Sequence, residues 1–163
     1  MTAAPAEPRR SAEEQQRLDA ALTDLFQHRI VFNQALGLVI ESARPPAPRI
    51  RFDMRHELIG SPTHGRLHGG VISATLDAMG GFALMVAIAE RHAAEHTAQV
   101  LQRFLKMGTL DLRIDYLAPG VGRHFIATAD VMRMGSRIGR TQMRLVNDTG
   151  ALIATGAAAY VIG

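Results

Sequence analysis

The sequence predicts a single α+β domain in which an antiparallel sheet wraps around one long central helix. Three observations lead to this prediction: an almost uncharged stretch between His68 and Glu90, an alternating strand at Thr109–Leu117, and three more strand candidates after it. Consecutive antiparallel strands that follow one apolar helix favour a sheet curled around that helix. At 163 residues the chain has the length of one domain.

Two features of the N-terminal part indicate where the domain begins. Met1–Arg10 is rich in Pro, Ala and Arg and lacks the apolar core of a secretory signal, so we expect a disordered tail there and one domain over residues 11–163. Ser11 and Glu14 have the spacing of a capping box, in which each side chain bonds the other residue's free backbone N–H. Apolar residues then repeat at helical spacing to about Ile30. An extra helix is therefore expected before the sheet.

The elements between this helix and the apolar stretch are short. Leu38–Ser42 and Arg49–Arg55 are predicted to be strands, and the Gly- and Pro-containing segment Glu57–Leu67 to be a loop. Beyond the apolar stretch, the polar segment Arg91–Lys106 is expected to be helical.

The alternating strand has a clear period of two. In Thr109–Leu117, polar residues alternate with an apolar set, which is typical of a half-buried strand. The apolar set is Leu110, Leu112, Ile114 and Tyr116. Turn residues then separate three further predicted strands, Arg123–Met132, Ile138–Val146 and Ala151–Ile162.

The apolar stretch is long enough to span a membrane, but a buried helix explains it better. Its only charge is Asp77, and an Asp at the centre of a membrane helix costs about 2.5–3.5 kcal/mol. A helix that is apolar on all sides is equally typical of one enclosed by a sheet. We therefore expect no membrane association.

Composition excludes several classes of function. The chain contains no cysteine, which rules out disulfides, thiol catalysis and cysteine-ligated metals and is compatible with the cytoplasm. Its net charge is only +3, and six Phe with two Tyr are few for a nucleic-acid platform. We expect no nucleic-acid partner.

The start of the apolar helix carries the residues with the clearest chemistry. Gly69 and Gly70 leave the backbone bare, so a ligand can approach the free N–H groups and the positive end of the helix. A carbonyl oxygen placed there would meet an oxyanion hole. Asp77 lies about 2.5 turns beyond His68. Its carboxylate could activate water against a bound carbonyl group, or attack the carbonyl itself to give an anhydride.

The run Leu67–Asp77 resembles the central motif of the hotdog thioesterase superfamily, specifically its PaaI-like subgroup. That subgroup has His-Gly-Gly at the start of the central helix and an acidic residue nine positions after the His. Gly108–Gly120 is similar to the strand that follows in the family, and Asn147–Tyr160 to its final hairpin. The resemblance covers about Phe32–Ile162.

The resemblance implies an acyl-CoA or aroyl-CoA thioesterase that needs no cofactor or metal. It implies that Asp77 acts across a dimer interface on a thioester held by the neighbouring subunit. It also implies that the Gly70 N–H polarises the carbonyl, with Gly69 and His68 beside it, and that Thr109 lines the site. The expected assembly is a cytoplasmic homodimer, or a homotetramer built as a dimer of dimers.

The sequence departs from the subgroup at one place and leaves alternatives open. The subgroup has an Asn just upstream of His-Gly-Gly, whereas this chain has asparagines only at positions 33 and 147. Ser61 or His64 could take its place, although their polar groups differ from an amide. A non-catalytic hotdog protein that binds acyl-CoA or acts as a scaffold is the alternative. A hotdog dehydratase is weaker, because the motif lacks a His-centred site.

Structural roles compete with the catalytic ones. Asp77 could be a buried acid paired with an Arg, and Gly69-Gly70 a close contact between helix and strand. His68 is equally well explained as a hydrogen-bonded scaffold residue, and Thr109 as a strand former.

Two other groups of residues, one of arginines and one of histidines, are candidates for a binding role. Arg137 and Arg140 lie at a predicted turn, where guanidinium groups could bind the phosphates of CoA or simply face solvent. His92 and His96 fit the H-x-x-E-H zinc motif, but their polar surroundings are typical of a solvated helix. We expect no metal there.

Overall fold

The structure, a computed structural model, describes residues 9–45 and 47–163. The first elements are helical: α1 (Ala12–Thr23) continues into a π-helical segment (Asp24–Arg29) and a short helix α2 (Val31–Leu36). The extra N-terminal helix is thus confirmed. Its apolar face is buried at Leu18, Leu22 and Phe26.

The predicted capping box forms only in part. Ser11 caps α1 by accepting from the Glu14 backbone N–H at 3.1 Å. The Glu14 carboxylate instead accepts from the N–H of Thr97 at 2.7 Å, which is the first residue of α4 (Thr97–Phe104). That N–H is one of the free donors of a helix start, and its bond lowers the pKa of Glu14. A contact between two helices replaces the predicted local one.

The predicted disordered tail, Met1–Arg10, lies outside the described residues except for Arg9 and Arg10. Arg9 pairs with a glutamate of the central helix at 2.7 Å. Arg10 donates to the carbonyls of Ala89 and His92, both at 2.8 Å. These carbonyls lie at the C-terminal end of the central helix, where acceptors lack helical partners and a cation is favourable.

One six-stranded sheet contains most of the strands, in the order β1-β2-β6-β7-β8-β5 with every neighbouring pair antiparallel. The predicted loop before the central helix contains a small hairpin, β3 and β4, and a 3-10 turn that sequence reasoning missed. The bounds are β1 (Val39–Ser42), β2 (Arg49–Asp53), the 3-10 turn (His56–Leu58), β3 (Ile59–Ser61), β4 (Arg66–Leu67), β5 (Gly108–Tyr116), β6 (His124–Met134), β7 (Ile138–Asn147) and β8 (Leu152–Val161).

The central helix α3 (Gly69–Arg91) packs along the concave face of this sheet and forms the core with it. It is the one helix within residues 9–45 and 47–163 that is long and apolar enough to span a membrane. Because more than half of its most apolar window is buried inside the protein, its hydrophobicity is explained by the core. The predicted hotdog architecture, a sheet around one central helix, is confirmed.

The polar segment after α3 is less helical than predicted. Within Arg91–Lys106 only α4 is a regular α-helix, and a turn at residues 92–95 separates it from α3.

The strand β5 differs from the half-buried strand that its alternation predicts. It lies at the edge of the sheet and pairs with β8 alone among the described strands. Its apolar residues Leu110 and Tyr116 are each 56% exposed. An unpaired edge with exposed apolar side chains is a surface suited to pairing with another chain.

Candidate active site

Asp77 is held by two residues from the sheet. The Thr109 hydroxyl donates to Asp77 Oδ1 at 2.9 Å, and the Tyr160 hydroxyl donates to the backbone carbonyl of Asp77 at 2.9 Å. Thr109 and Tyr160 face each other directly in the ladder between β5 and β8. One registered pair of residues therefore fixes both the side chain and the backbone of this acid.

A β-bulge explains how Thr109 reaches the helix. The register of β5 shifts between Thr109 and Asp111, so two positions of β5 oppose a single step of β8. Strict alternation from Leu112 would place Thr109 on the outer, polar face. The bulge instead lets Thr109 share the inner face with Tyr160, because directly paired residues point to the same side of a sheet.

Tyr160 is a site residue that sequence reasoning missed. Its ring is buried, and burial together with the nearby Asp77 charge raises its pKa well above the ordinary value. The hydroxyl therefore stays protonated and keeps its role as a donor. Gly80 makes room for it, since a Cβ there would collide with this hydroxyl and lie 2.7 Å from Thr141 Oγ1.

The carboxylate of Asp77 is not part of an ion pair between residues that the structure describes. This argues against the alternative of a structural acid neutralised by an Arg. Asp77 instead lines a cavity of about 280 Å³. The walls are mainly apolar and come from α3, the start of β5 and the N-terminal helices, including Phe26, Phe32, Gly81, Phe82 and Met85.

The N-terminal helices were not predicted to reach the site. Phe26 is buried in the π-helical segment and packs on Phe82 of α3, with ring centroids 4.9 Å apart. Asn33 of α2 lines the same cavity and donates from its amide to the Phe26 carbonyl at 3.0 Å. The one asparagine near Asp77 is thus supplied from α2 and not from the loop before His68. The sequence around Asn33 contains no pattern that would predict this position beside Asp77.

The start of α3 is organised around His68. As the N-cap residue, His68 accepts the N–H of Gly70 on its ring Nδ1 at 2.8 Å. This hydrogen bond agrees with the alternative predicted from the sequence, in which His68 is a scaffold residue. It also means that the predicted oxyanion donor, the Gly70 N–H, already has a partner in this structure. The His68 ring is exposed, so the bond can exchange for one to a ligand.

The glycines at this helix start are not explained by close packing on a strand. A Cβ at Gly69 would meet Tyr116 at 3.5 Å, an ordinary van der Waals contact. The Tyr116 hydroxyl donates to the Gly69 carbonyl at 3.0 Å. A Cβ at Gly70 would meet only the His68 ring, at 2.9 Å from Nδ1.

Ser61 ends β3 and is half-buried, and His64 lies on the exposed turn between β3 and β4. The Ser61 hydroxyl and His64 Nδ1 are 3.1 Å apart, so each satisfies the other. The hairpin is anchored because Gly60 packs against His68. The hairpin that carries Ser61 and His64 thus contacts the start of α3, and neither residue lines the cavity beside Asp77.

Arg137 and Arg140 flank the turn between β6 and β7 and are both exposed. Together with Arg133 they line a shallow depression of about 360 Å³ at the surface. None of the three belongs to an ion pair within residues 9–45 and 47–163. The structure thus brings these guanidinium groups together, away from the Asp77 cavity.

The H-x-x-E-H motif does not lie on one helix. α3 ends at Arg91, and His96 is the N-cap of α4. His92 Nδ1 lies 3.1 Å from Glu95 Oε1. Two of the side chains that the motif would offer to a metal therefore contact each other. Over the described residues, three or more metal-ligating side chains do not come together.

The fold and the site define a class of protein that comparison with known families identifies. The model of the thioesterase superfamily matches residues 64–154, more than half of the chain and including the start of α3, Asp77 and Thr109. The chain belongs to the thioesterase superfamily, as its sequence motif predicts. It is accordingly an enzyme of the thioester hydrolase class.

The chain is also similar to individual proteins of this superfamily. The medium/long-chain acyl-CoA thioesterases YigI of Salmonella typhimurium and Escherichia coli are 34% and 33% identical to it over 140 residues, which is 86% of this chain and 90% of theirs. A crystal structure of a Shewanella oneidensis protein related to the thioesterase superfamily matches with a TM-score of 0.85 and 31% identity, covering 94% of this chain and 100% of the other.

Proposed function

We propose that this enzyme hydrolyses acyl-CoA thioesters with medium or long acyl chains to free acid and CoA. The observation that carries the proposal is a carboxylate, Asp77, oriented by Thr109 at the wall of an apolar cavity. A thioester needs both elements, because water must be activated beside the carbonyl and the acyl chain must leave solvent. The names of the YigI relatives supply the substrate class.

Asp77 acts as general base or as nucleophile. As a base, it takes a proton from water while the water oxygen bonds to the thioester carbon, and the C–S bond then breaks to release the CoA thiolate. As a nucleophile, Asp77 displaces the thiolate and forms an anhydride that water then hydrolyses. In both routes the Thr109 hydroxyl holds one carboxylate oxygen and leaves the other to react.

The oxyanion is stabilised at the start of α3 by the Gly70 N–H, after the thioester oxygen has displaced the ring of His68. Gly69 and the hairpin carrying Ser61 and His64 border this approach. The bond between Gly70 and His68 is an exposed local one, so its exchange costs little compared with the loss of a buried bond.

The two groups belong to different subunits of a homodimer. Along one helix, Gly70 and Asp77 are separated by about 10 Å. An attacking group and an oxyanion donor each stand about 3 Å from the carbonyl, so this gap favours a carbonyl held by one chain and attacked by the other. The exposed edge strand β5 provides a surface for pairing. Two such dimers can form a tetramer.

The phosphates of CoA are bound by Arg137 and Arg140, which have the geometry for bidentate contacts and no described ion-pair partner. Replacing both by Ala should raise KM for CoA esters about tenfold and weaken its dependence on salt. KM measured at low and high ionic strength checks this. Unchanged values at both would mean that these side chains only face solvent.

A cytoplasmic location fits this substrate and the absence of cysteine from the sequence. Fractionation of cells that express the tagged chain tests the location.

The alternative that the sequence left open, a non-catalytic acyl-CoA-binding protein, is disfavoured by the acyl-CoA thioesterase relatives. The observations on its side are the bond already made by the Gly70 N–H and the lack of an asparagine before His68. An acyl-CoA panel assayed by release of free thiol separates the two. Turnover of octanoyl-CoA or palmitoyl-CoA supports the enzyme, whereas binding without thiol release supports the alternative.

A further inference from the structure

Two adjacent glycines lie in the middle of α3, and packing explains the absence of a side chain at only one of them. Glycine in a helix interior is about 1 kcal/mol less favourable than alanine. At Gly80 the reason is steric, because a Cβ would collide with the Tyr160 hydroxyl and crowd Thr141. At Gly81 the nearest atom to an added Cβ is Tyr160 Cε1 at 3.8 Å, an ordinary contact.

The space that Gly81 leaves open belongs to the cavity beside Asp77. Gly81 lies one turn beyond Asp77 on the same face of α3, about 6 Å along the axis, and Met85 lies one turn further. All three line the cavity. Phe26 and Phe32 of the N-terminal helices also line this cavity. An apolar chain that starts at Asp77 would therefore pass the bare backbone of Gly81 toward Met85.

We propose that Gly81 is the residue that sets the length of acyl chain the enzyme accepts. The proposal rests on the proposed thioesterase function. The acyl chain lies between α3 and the N-terminal helices, and the missing side chain at position 81 keeps the passage open where it is flanked by Tyr160. A methyl group introduced there would meet only an ordinary contact with Tyr160 and would narrow the passage.

A second cavity on the same helix offers a matched control. It has a volume of about 740 Å³ and lies on the other side of α3, where Ala87 lines it together with Val86 and Val131. Asp77 does not line this second cavity. Gly81→Leu and Ala87→Leu thus place the same side chain into two different cavities of one helix.

The experiment compares kcat/KM for palmitoyl-CoA and butyryl-CoA in the wild type, Gly81→Ala, Gly81→Leu and Ala87→Leu. The palmitoyl-to-butyryl ratio should fall about fourfold for Gly81→Ala, the value of one methylene, and at least about tenfold for Gly81→Leu. Ala87→Leu should keep the wild-type ratio. Thermal melting should show Gly81→Ala at least as stable as the wild type, whereas Gly80→Ala should melt at a lower temperature.

The outcomes separate the two proposals. A wild type that hydrolyses both esters, with an unchanged ratio in Gly81→Leu, overturns the role of Gly81 but not the thioesterase function. A shifted ratio in Ala87→Leu alone would place the acyl chain in the second cavity. If the wild type hydrolyses neither ester, the proposed function fails. Decanoate binding by calorimetry then decides whether Gly81→Leu blocks the cavity or leaves it unaffected.

Discussion

The two ends of the proposed site lie on the same helix but are held in different ways. Asp77 is half-buried and bonded by Thr109 and Tyr160, a pair of residues that face each other across two strands. The helix start at Gly70 is exposed and is held by the ring of His68, two residues away. Asp77 is therefore fixed by the tertiary fold, whereas the proposed oxyanion donor, the Gly70 N–H, is held by a local contact that a ligand can replace.

In the proposed mechanism, the attacking group thus has a fixed position, and the group that binds the thioester oxygen has an exchangeable one. A base must stay within hydrogen-bond reach of its proton, and small displacements lower the rate strongly. A backbone N–H that exchanges one acceptor for another needs only to be free when the thioester arrives.

The largest effect is expected at the fixed end. Asp77→Asn is nearly isosteric and can still accept the Thr109 hydroxyl, but it has no proton-accepting carboxylate. We expect kcat to fall by about 10²–10⁴ with little change in KM. Stability should change by less than about 1 kcal/mol, because loss of a partner costs about 3–5 kcal/mol only where a buried ion pair is broken. Measuring kcat and urea unfolding on one sample distinguishes these results. Near wild-type turnover in a folded Asp77→Asn protein would remove Asp77 from the mechanism.

The sequence predicted the architecture correctly, and the reasons are local. Local patterns of a few residues were sufficient for this prediction. The apolar stretch and the period of two indicate burial, and the turn residues indicate where the chain reverses. The positions that were missed depend on contacts distant in sequence. The bulge beside Thr109 is set by pairing with β8, and Tyr160 reaches Asp77 across 83 residues.

The capping residues show the same limit. Glu14 and Arg10 were expected to act locally or to be disordered, yet both bond to segments near the end of α3 or the start of α4. A capping signal in sequence identifies a side chain able to bond free backbone groups, but not which helix supplies them. That Thr109 lies near Asp77 could not be derived from local sequence patterns. The family resemblance supplied this prediction.

The bonds to Asp77 can be weakened one at a time. Tyr160→Phe removes only the hydroxyl that bonds the Asp77 carbonyl, so we expect a loss of about 1 kcal/mol in unfolding free energy and less than about a tenfold fall in kcat. Thr109→Val is the matched variant, because it removes the bond to the carboxylate itself. It should lower kcat more than Tyr160→Phe does while costing less stability. The opposite order would show that the backbone bond, not the side-chain bond, positions the acid.

The smallest effect is expected at the exchangeable end. His68→Ala removes the N-cap acceptor, which should lower the unfolding free energy by about 0.5–1 kcal/mol. Because the Gly70 N–H then loses its competing partner, kcat should stay within about threefold of the wild type. Thermal unfolding and steady-state kinetics on the same preparation test this. A fall in kcat comparable to that of Asp77→Asn would instead make His68 a direct participant.

A shared site is tested most directly by mixing two inactive variants. Asp77→Asn lacks the acid, and Gly70→Pro lacks the oxyanion N–H in the first helical turn, where proline is tolerated. Both should be dimers in light scattering and nearly inactive alone. Heterodimers isolated after coexpression through two affinity tags have one complete site of two, so they should recover about half of the wild-type activity. Heterodimers as inactive as both parents would contradict a site built from two subunits.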